Sequence, residues 1–203
     1  MRVTTTLGPS FTTGMRRRQI VAAAIEVLAE LGLAKASFAR IAARAGVAST
    51  RMISYHFTDR DDLMREVVST VFNESGLHIE QFVQVDAGPR SQLRGLILGN
   101  ADFYARHPRQ LVAAQEVWNG LRDADGRPIY GLHSLELEFD VVGQILRAGQ
   151  QLGEFRDFDV RFMAVMVRHA LNGLAAVLVA DPNADQEQLG EQLATTIDRA
   201  TRR

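Results

Sequence analysis

The sequence predicts an all-α fold of about nine helices. Apolar residues recur at three- and four-residue steps through most of the 203 residues, which is the period of amphipathic helices. Glycine, proline and aspartate stand where these segments start or stop, as they do at helix ends. Strictly alternating apolar and polar runs, which are typical of strands, are nearly absent.

The composition is that of a globular protein, with 46% hydrophobic and 23% charged residues. The chain contains no cysteine, which excludes disulfides and thiolate catalysis and fits a reducing cytoplasm. We find no apolar run of about 18 residues and no N-terminal apolar segment typical of a signal peptide. The sequence therefore predicts neither a membrane span nor secretion.

The first four helices are predicted from an apolar stripe and from residues that favour helix ends. Residues 1–14 are mostly polar and predict a flexible arm. The stripe that starts after this arm stops at Gly32, and Ser37, Ser49 and Asp59 can each cap the helix that follows. The predicted helices cover residues 15–31, 37–45, 49–56 and 59–85.

Five longer helices are predicted beyond Pro89. The first of them ends at His107, which precedes a proline, and Asp159 can cap the fourth. Two polar connections, at residues 122–128 and 153–158, separate the remaining segments. The last four helices are predicted at residues 111–121, 129–152, 160–180 and 185–200.

Charge is divided unevenly along the chain. Residues 1–60 carry nine basic and three acidic side chains, whereas the remaining residues carry 14 basic and 21 acidic ones. The formal net charge of −1 therefore hides a basic head and an acidic body. Such asymmetry indicates a nucleic acid or an acidic membrane as the partner of the head. A chance cluster of solvated arginines is the alternative.

The second and third predicted helices have the spacing of a helix-turn-helix. Gly46 allows the sharp turn between them, and small alanines lie where the helices meet. Ile41, Ile53 and Phe57 can hold the pair on the first helix. An ordinary three-helix cluster that binds no nucleic acid is the alternative. The exposed face of the third helix is polar, as a face toward base edges and phosphates must be: Ser49, Thr50, Arg51, Ser54, Tyr55 and His56.

Two stretches carry a family resemblance: LGLAKASFARIAARAGV at residues 31–47 and ISYHFTDRDDL at residues 53–63. Together they resemble the DNA-binding head of the tetracycline-repressor (TetR) family, and the resemblance covers about residues 15–65. It implies an all-helical dimer whose head binds operator DNA and whose body binds a small effector. Ala48 departs from the family pattern, since it adds one residue to the turn.

The resemblance assigns DNA contacts residue by residue. Ser37 and Arg60 would meet phosphates, and Tyr55 with His56 would contact the DNA backbone. Arg51 is the best candidate for reading bases, because a guanidinium can bond guanine bidentately; a further phosphate contact is the alternative. The basic residues 16–18 would touch the backbone or a minor groove, or form a solvated charge run. The predicted DNA-binding set is Arg16, Arg17, Arg18, Ser37, Arg40, Ser49, Thr50, Arg51, Met52, Ser54, Tyr55, His56 and Arg60.

The body mixes aromatic residues with a few hydrogen-bonding side chains. This mixture is typical of an apolar pocket with polar anchors, and we expect it to accept an aromatic or lipophilic effector. Core packing is the alternative for each residue. The predicted lining is Phe103, Tyr104, Trp118, Asn119, His133, Leu137, Met166, His169 and Asn172.

Signs of other chemistry are weak. Glu74 with His78, and His133 with Glu136, have the spacing of metal ligands on a helix. Neither pair has a third ligand in register, so no metal and no other cofactor is predicted. The sequence shows neither a nucleophile with a placed base nor a phosphate-binding loop, and the chain is not expected to be an enzyme.

Two helices of the body predict self-association. The helix at 160–180 is apolar nearly all round, and the last helix carries leucine and isoleucine at four-residue steps. One chain is not expected to cover both, so pairing with their twofold copies would form an isologous four-helix interface. The predicted interface is Met163, Val167, Leu171, Leu174, Leu178, Leu189, Leu193 and Ile197.

The sequence thus predicts an arm at 1–14, a DNA-binding domain at 15–60 and an effector-binding and dimerisation domain at 61–203. The predicted protein is a cytoplasmic homodimeric repressor that leaves palindromic double-stranded operator DNA when a small effector binds. Two alternatives stay open: a DNA-binding dimer that needs no ligand and has an architectural role, and an all-helical enzyme whose basic head is incidental.

Overall fold

A computed structural model describes residues 9–84, 86–181 and 183–203 of the chain. This part contains nine α-helices and two short 3-10 helices, so the predicted all-α fold is confirmed. The 3-10 helices are Leu33–Lys35 and Leu132–Leu135. The α-helices are α1 (Pro9–Leu31), α2 (Phe38–Ala45), α3 (Thr50–His56), α4 (Arg60–Glu80), α5 (Pro89–Arg106), α6 (Pro108–Gly120), α7 (Glu136–Gln151), α8 (Val160–Ala180) and α9 (Gln186–Thr201).

Three of the predicted helix caps form. The side chain of Ser37 accepts a hydrogen bond from the Arg40 amide, and Asp159 accepts one from the Phe162 amide at 2.6 Å. Asp59 accepts from the Asp62 amide at 2.7 Å at the start of α4. Ser49 lies at the cap position of α3, but its side chain makes no capping hydrogen bond, so this detail of the prediction is wrong.

Several helix boundaries differ from the prediction, among them the start of α6 at Pro108 rather than at residue 111. The first helix includes residues 9–14 of the predicted arm, whose residues 1–8 lie outside the described part of the chain. Proline at the first position favours an earlier start, since it lacks only an amide that a helix leaves unpaired there. The fourth helix ends at Glu80 rather than near residue 85, which lies outside the described residues.

The seventh helix starts at Glu136 rather than near residue 129, because residues 129–135 take other conformations. The Ile129 amide donates to the Leu121 carbonyl at 3.2 Å, and Leu132–Leu135 forms a 3-10 helix. The predicted connection before them is a turn, in which one carboxylate oxygen of Asp123 accepts the amides of Asp125 and Arg127, both at 2.9 Å.

The chain forms two compact units. Unit 1 comprises Met1–Thr70 and Val112–Ile129, and unit 2 comprises Val71–Leu111 and Tyr130–Arg203. This division differs from the predicted boundary after residue 60, because α4 and α6 each contribute residues to both units. The end of α6 belongs with the first helices, where Glu116 accepts the Leu33 amide at 2.9 Å.

Each unit has its own apolar core. In unit 1, fully buried side chains of α1 to α4 meet; the largest are Ile20, Leu28, Ile41, Ile53, Phe57, Leu63 and Met64. In unit 2, α5, α7, α8 and α9 pack together, and their shared core includes Leu93, Ile97, Val142, Leu146, Val167, Leu171 and Ile197. Both cores follow the apolar stripes of the sequence.

Helix α8 is long and apolar enough to span a membrane by length and composition, with a mean hydropathy of 1.7 over its most apolar window. The expectation that the sequence contains no apolar segment of about 18 residues is therefore wrong for α8. One third of the window is buried, and the inward side of the helix belongs to the core of unit 2. A core helix of a globular domain can have the same length and apolar composition as a membrane-spanning helix.

Candidate nucleic-acid interface

The turn between α2 and α3 fixes the helix-turn-helix. Gly46 has a φ of 62°, in the left-handed region that favours glycine, and its amide bonds to carbonyls at the end of α2. The Val47 amide donates to the Ala42 carbonyl at 3.1 Å and closes the turn. Gln19 of α1 donates to the Ala45 carbonyl at 2.6 Å, a contact that sequence reasoning missed.

Helix α3 divides into a buried side and an exposed side. Ile53 is fully buried, and Phe57, directly after the helix, is 1% exposed. Opposite them, Tyr55 is 76% exposed and Met52 is 38% exposed. Thr50, Arg51 and Ser54 complete the exposed side. The apolar residues therefore anchor the helix and leave the predicted DNA-reading residues in solvent.

An open concavity of about 550 Å³ joins the exposed side of α3 to the start of α1. It brings four of the predicted DNA-binding residues together, Arg16, Met52, Tyr55 and His56. Thr13, Met15 and Gln19 line it as well and were missed by sequence reasoning. Helical spacing could have found Thr13 only if α1 had been extended into the predicted arm, whereas Met15 and Gln19 lie within the predicted first helix.

The ring of His56 is half-buried beside this concavity and lies edge-on to Tyr55, with ring centroids 5.1 Å apart. Burial lowers the pKa of His56 below its usual 6.5, and the positive charges of Arg17 and Arg16 lower it further. The imidazole is therefore uncharged at neutral pH, so it can offer a hydrogen bond to DNA but no full charge.

Two arginines of the predicted set are used inside the head. The guanidinium of Arg17 lies 4.7 Å from the centre of the Phe57 ring and forms an ion pair with Glu66. Arg60 donates its Nε to the Ala36 carbonyl at 2.9 Å and a second nitrogen to the Leu33 carbonyl. Both side chains thus make contacts within the head that were not predicted from the sequence, and their assignment as DNA contacts stays a prediction.

Other basic residues of the head face solvent. Arg16, Arg18, Arg40 and Arg51 are all exposed, and Arg40 donates one nitrogen to the Lys35 carbonyl at 2.9 Å. Within the described residues, Arg51 and Arg18 have no acidic partner. By contrast, Arg44 is paired with Glu26 and Glu30, whose hydrogen bonds raise its pKa further above its usual value.

The predicted effector-binding residues do not converge on one pocket within the described chain. Phe103 and Tyr104 are buried in unit 2, whereas Trp118 and Asn119 belong to unit 1. The remaining five are exposed: His133, Leu137, Met166, His169 and Asn172. Periodicity places aromatic and polar residues on helices, but it does not give the rotation of one helix against another.

The predicted metal-ligand pairs have other partners. Glu74 accepts a hydrogen bond from Gln110 at 2.8 Å. His78 lies 2.7 Å from the carboxylate of Asp102, to which Arg106 also donates at 2.7 Å. His133 is exposed, and the carboxylate of Glu136 is held by Arg161 at 2.7 Å.

The predicted dimer interface is mostly interior to a single chain. Leu174 is 7% exposed and Leu178 is 8% exposed, while Val167, Leu171 and Ile197 belong to the core of unit 2. Met163 and Leu193 pack against that core, and Leu189 is half-buried. Val167, Leu171, Leu174, Leu178 and Ile197 are thus covered within their own chain, because α5 and α7 pack on the inner sides of α8 and α9. The dimer interface itself stays a prediction.

The arrangement of α1 to α4 matches a known family. A profile described as "Bacterial regulatory proteins, tetR family" matches residues 20–67, which span α2, the turn, α3 and parts of α1 and α4. The helix-turn-helix segment of the chain therefore matches the tetR family of bacterial regulatory proteins. The family likeness stated from residues 31–63 is thus confirmed.

Named relatives extend this likeness to different degrees. The regulator BetI 1 of Chromohalobacter salexigens is 37% identical over 43% of this chain and 44% of its own length. The chain therefore spans about half the length of such BetI relatives. The repressor NicS of Pseudomonas putida is 29% identical over 87% of this chain and 92% of its own length.

Solved structures share the fold along most of the chain. A TetR-like transcriptional regulator from Rhodococcus sp. RHA1 has a TM-score of 0.72 at 17% identity, covering 91% of this chain and 94% of its own. The TetR-family regulator PfmR of Thermus thermophilus has a TM-score of 0.71 at 20% identity, covering 89% and 97%. The tetR-family fold therefore extends beyond the head to the helices of unit 2.

Proposed function

We propose that this protein is a transcriptional regulator of the repressor type, which binds palindromic double-stranded operator DNA in the cytoplasm. The observation that carries the proposal is the exposed side of α3, where Arg51 and Tyr55 face solvent on a helix anchored by Ile53 and Phe57. A second helix of this kind enters the major groove in helix-turn-helix proteins. The likeness to the repressor NicS over nearly its whole length supports the same function.

The regulator acts as a homodimer that pairs through the outward side of α8. Phe162 is 65% exposed there, and Met166 and Val177 are each 48% exposed. From Phe162 to Ala180 the exposed residues of α8 include no Asp, Glu, Lys or Arg, and His169 is the one titratable residue among them. A second copy fits this face, because an uncharged apolar face meets its own twofold copy without charge repulsion. This exposed face is proposed as the dimer interface in place of the buried residues, such as Leu171 and Leu174, that were predicted from helical periodicity.

A small effector releases the DNA by binding unit 2. Helices α4 and α6 have residues in both units, so they are the continuous routes by which a change in unit 2 can reach the head. An effector acts only if it prefers the conformation that cannot bind DNA. A dimer that binds DNA without any ligand is the second candidate, and it is favoured by the scatter of the residues predicted to line a pocket.

Selection from a random-sequence duplex library tests the DNA-binding function. We expect enrichment of a palindrome whose half-sites are about one helical turn apart, as two recognition helices of a dimer require. The wild-type protein should then bind the enriched duplex more tightly than a scrambled duplex of equal length. Absence of any enriched sequence would refute the proposed function.

A further inference from the structure

A chain of hydrogen bonds crosses unit 2 from α8 to α5. Arg168 donates Nη1 to the hydroxyl of Tyr104 at 3.2 Å, and that hydroxyl donates to Asn100 at 2.9 Å. The amide of Asn100 then donates to the Leu96 carbonyl at 2.8 Å. Tyr104 and Asn100 are each 5% exposed, so this polar chain runs through an apolar interior. Its hydrogen bonds hold the Arg168 guanidinium in one orientation.

This series of hydrogen bonds is incomplete at its charged end, the guanidinium of Arg168. Nε of Arg168 is shielded from solvent and has no hydrogen-bond partner among the described residues. A buried donor without a partner loses its hydration without compensation, and the loss is larger for a charged group. Glu138 of the neighbouring α7 does not fill the gap, since its own buried carboxylate oxygen also lacks a partner in the described chain.

We propose that Arg168 anchors an anionic ligand, a carboxylate joined to an apolar body. The edge of a guanidinium that carries Nε matches a carboxylate, which accepts two parallel hydrogen bonds. A single guanidinium neutralises one negative charge, which favours a carboxylate over a phosphate dianion. Val167 and Leu171, the neighbours of Arg168 on α8, belong to the core of unit 2, so the guanidinium lies in apolar surroundings, which favour an apolar body beside the carboxylate. This inference rests on the proposed function, in which the ligand is the effector.

Matched probes test the anchor in the wild-type protein without any substitution. Decanoate and 2-naphthoate are compared with their primary amides by isothermal titration calorimetry, since each amide keeps the apolar body and loses the charge. We expect at least one carboxylate to bind about tenfold or more tightly than its amide, as a charge-assisted hydrogen bond requires. Equal binding of carboxylate and amide, or no binding by either carboxylate, would overturn the assignment.

Substitutions then test whether Arg168 causes the preference for carboxylate over amide. Arg168→Gln should abolish the preference for carboxylate, whereas Arg161→Gln should keep it, because Arg161 is an exposed arginine of the same helix that pairs with Glu136. Tyr104→Phe should weaken carboxylate binding a few-fold while leaving amide binding unchanged, since one neutral hydrogen bond to the guanidinium is lost. Circular dichroism checks that each variant is folded. An Arg168→Gln protein that still prefers carboxylate would contradict the proposal.

Duplex binding measured on the same samples separates the two claims. Binding to the enriched palindrome without a carboxylate preference would overturn the anchor and leave the DNA-binding function standing. A carboxylate preference without duplex binding would support the anchor and refute the regulator.

Discussion

Helices α3 and α8 both turn an unusual face to solvent, but the two faces differ in chemistry. The exposed side of α3 is polar and basic, with Arg51 beside Tyr55. The exposed side of α8 carries Phe162, Met166 and Val177 and no Asp, Glu, Lys or Arg from Phe162 onward, with His169 and Asn172 as its polar members. Each helix is held by buried residues on its opposite side. The difference matches the two partners proposed above, a polyanion for α3 and a second copy of the chain for α8.

Ion pairing distinguishes Arg51 from other exposed arginines. In unit 2, Arg90 is paired with Asp198 and Arg94 with Glu191. The hydrogen bonds of the first pair raise the pKa of Arg90 and lower that of Asp198. Arg51 has no such partner among the described residues. An exposed arginine without an acidic partner, such as Arg51, keeps its full charge available to a polyanion.

The largest expected effect comes from a charge placed on the inward side of α8. Leu174→Arg should destabilise unit 2 by about 4 kcal/mol or more, because it buries an unpaired charge in the core. Thermal unfolding followed by circular dichroism measures the loss. Leu174→Met is the control and should cost less than about 1.5 kcal/mol. A normally stable Leu174→Arg protein would show that this side of α8 is not interior.

A charge on the outward side of α8 should act differently. Met166→Glu should convert the dimer to a folded monomer, because the twofold axis brings two equal charges to one interface. Sedimentation equilibrium gives the mass, and the melting temperature shows whether the monomer is intact. Gln151→Glu adds the same charge at an exposed position outside the apolar face and should stay dimeric. If Met166→Glu remains dimeric, the interface lies elsewhere.

Removal of the candidate base reader should have an intermediate effect. Arg51→Ala should lose about 1–3 kcal/mol of discrimination at one or two base pairs per half-site if the guanidinium bonds a guanine. Fluorescence anisotropy with the enriched duplex and its single-base variants measures this loss. Arg94→Ala, which removes a paired arginine of unit 2, should leave the preference intact. An unchanged preference in Arg51→Ala would make Arg51 a phosphate contact at most.

The smallest effect concerns ion pairing within unit 2. Burial alone would raise the pKa of Asp102, but hydrogen bonds from Arg106 and His78 outweigh it and hold the pKa below its usual 3.8. The ionised carboxylate therefore adds stability above the unfolded pKa, and this stability is lost as pH falls through the lower folded pKa.

Asp102→Asn tests this pH dependence. The substitution should lower the melting temperature at pH 7, and the difference from wild type should shrink as pH falls below about 3.8. Asp140→Asn, at an exposed position of α7, is the control and should change little at any pH. A difference that stays constant down to low pH would mean that the charge of Asp102 contributes nothing.

The sequence predicted local features well. The bounds of α8, the caps at Ser37 and Asp159, and the burial of Ile53 and Phe57 all depend on residues a few positions apart. Contacts between distant residues were not predictable in the same way. Arg17 contacts Glu66, 49 positions away, and Arg60 contacts Leu33, 27 positions away. Sequence spacing does not reveal such contacts, so both arginines were predicted only as DNA contacts.

Residues of unit 2 were harder to assign for a different reason. A helix that is apolar all round does not reveal which side its own chain covers, so Leu171 and Leu174 were predicted at the interface although both are buried in unit 2. The open Nε of Arg168 has no signature in the sequence, because its missing partner is seen only once α5 and α8 are packed.

The salt dependence of duplex binding tests the central claim, that the unpaired basic face of α3 binds DNA. Anisotropy titrations of wild type, Arg51→Ala and Arg94→Ala are made with the enriched palindrome from low to high salt. We expect the affinity of wild type to fall steeply, by about 0.9 log units per tenfold salt for each phosphate contact. Arg94→Ala should match wild type, and Arg51→Ala should bind more weakly at every salt concentration. A flat salt response, or an Arg51→Ala protein that binds as tightly as wild type, would contradict the claim.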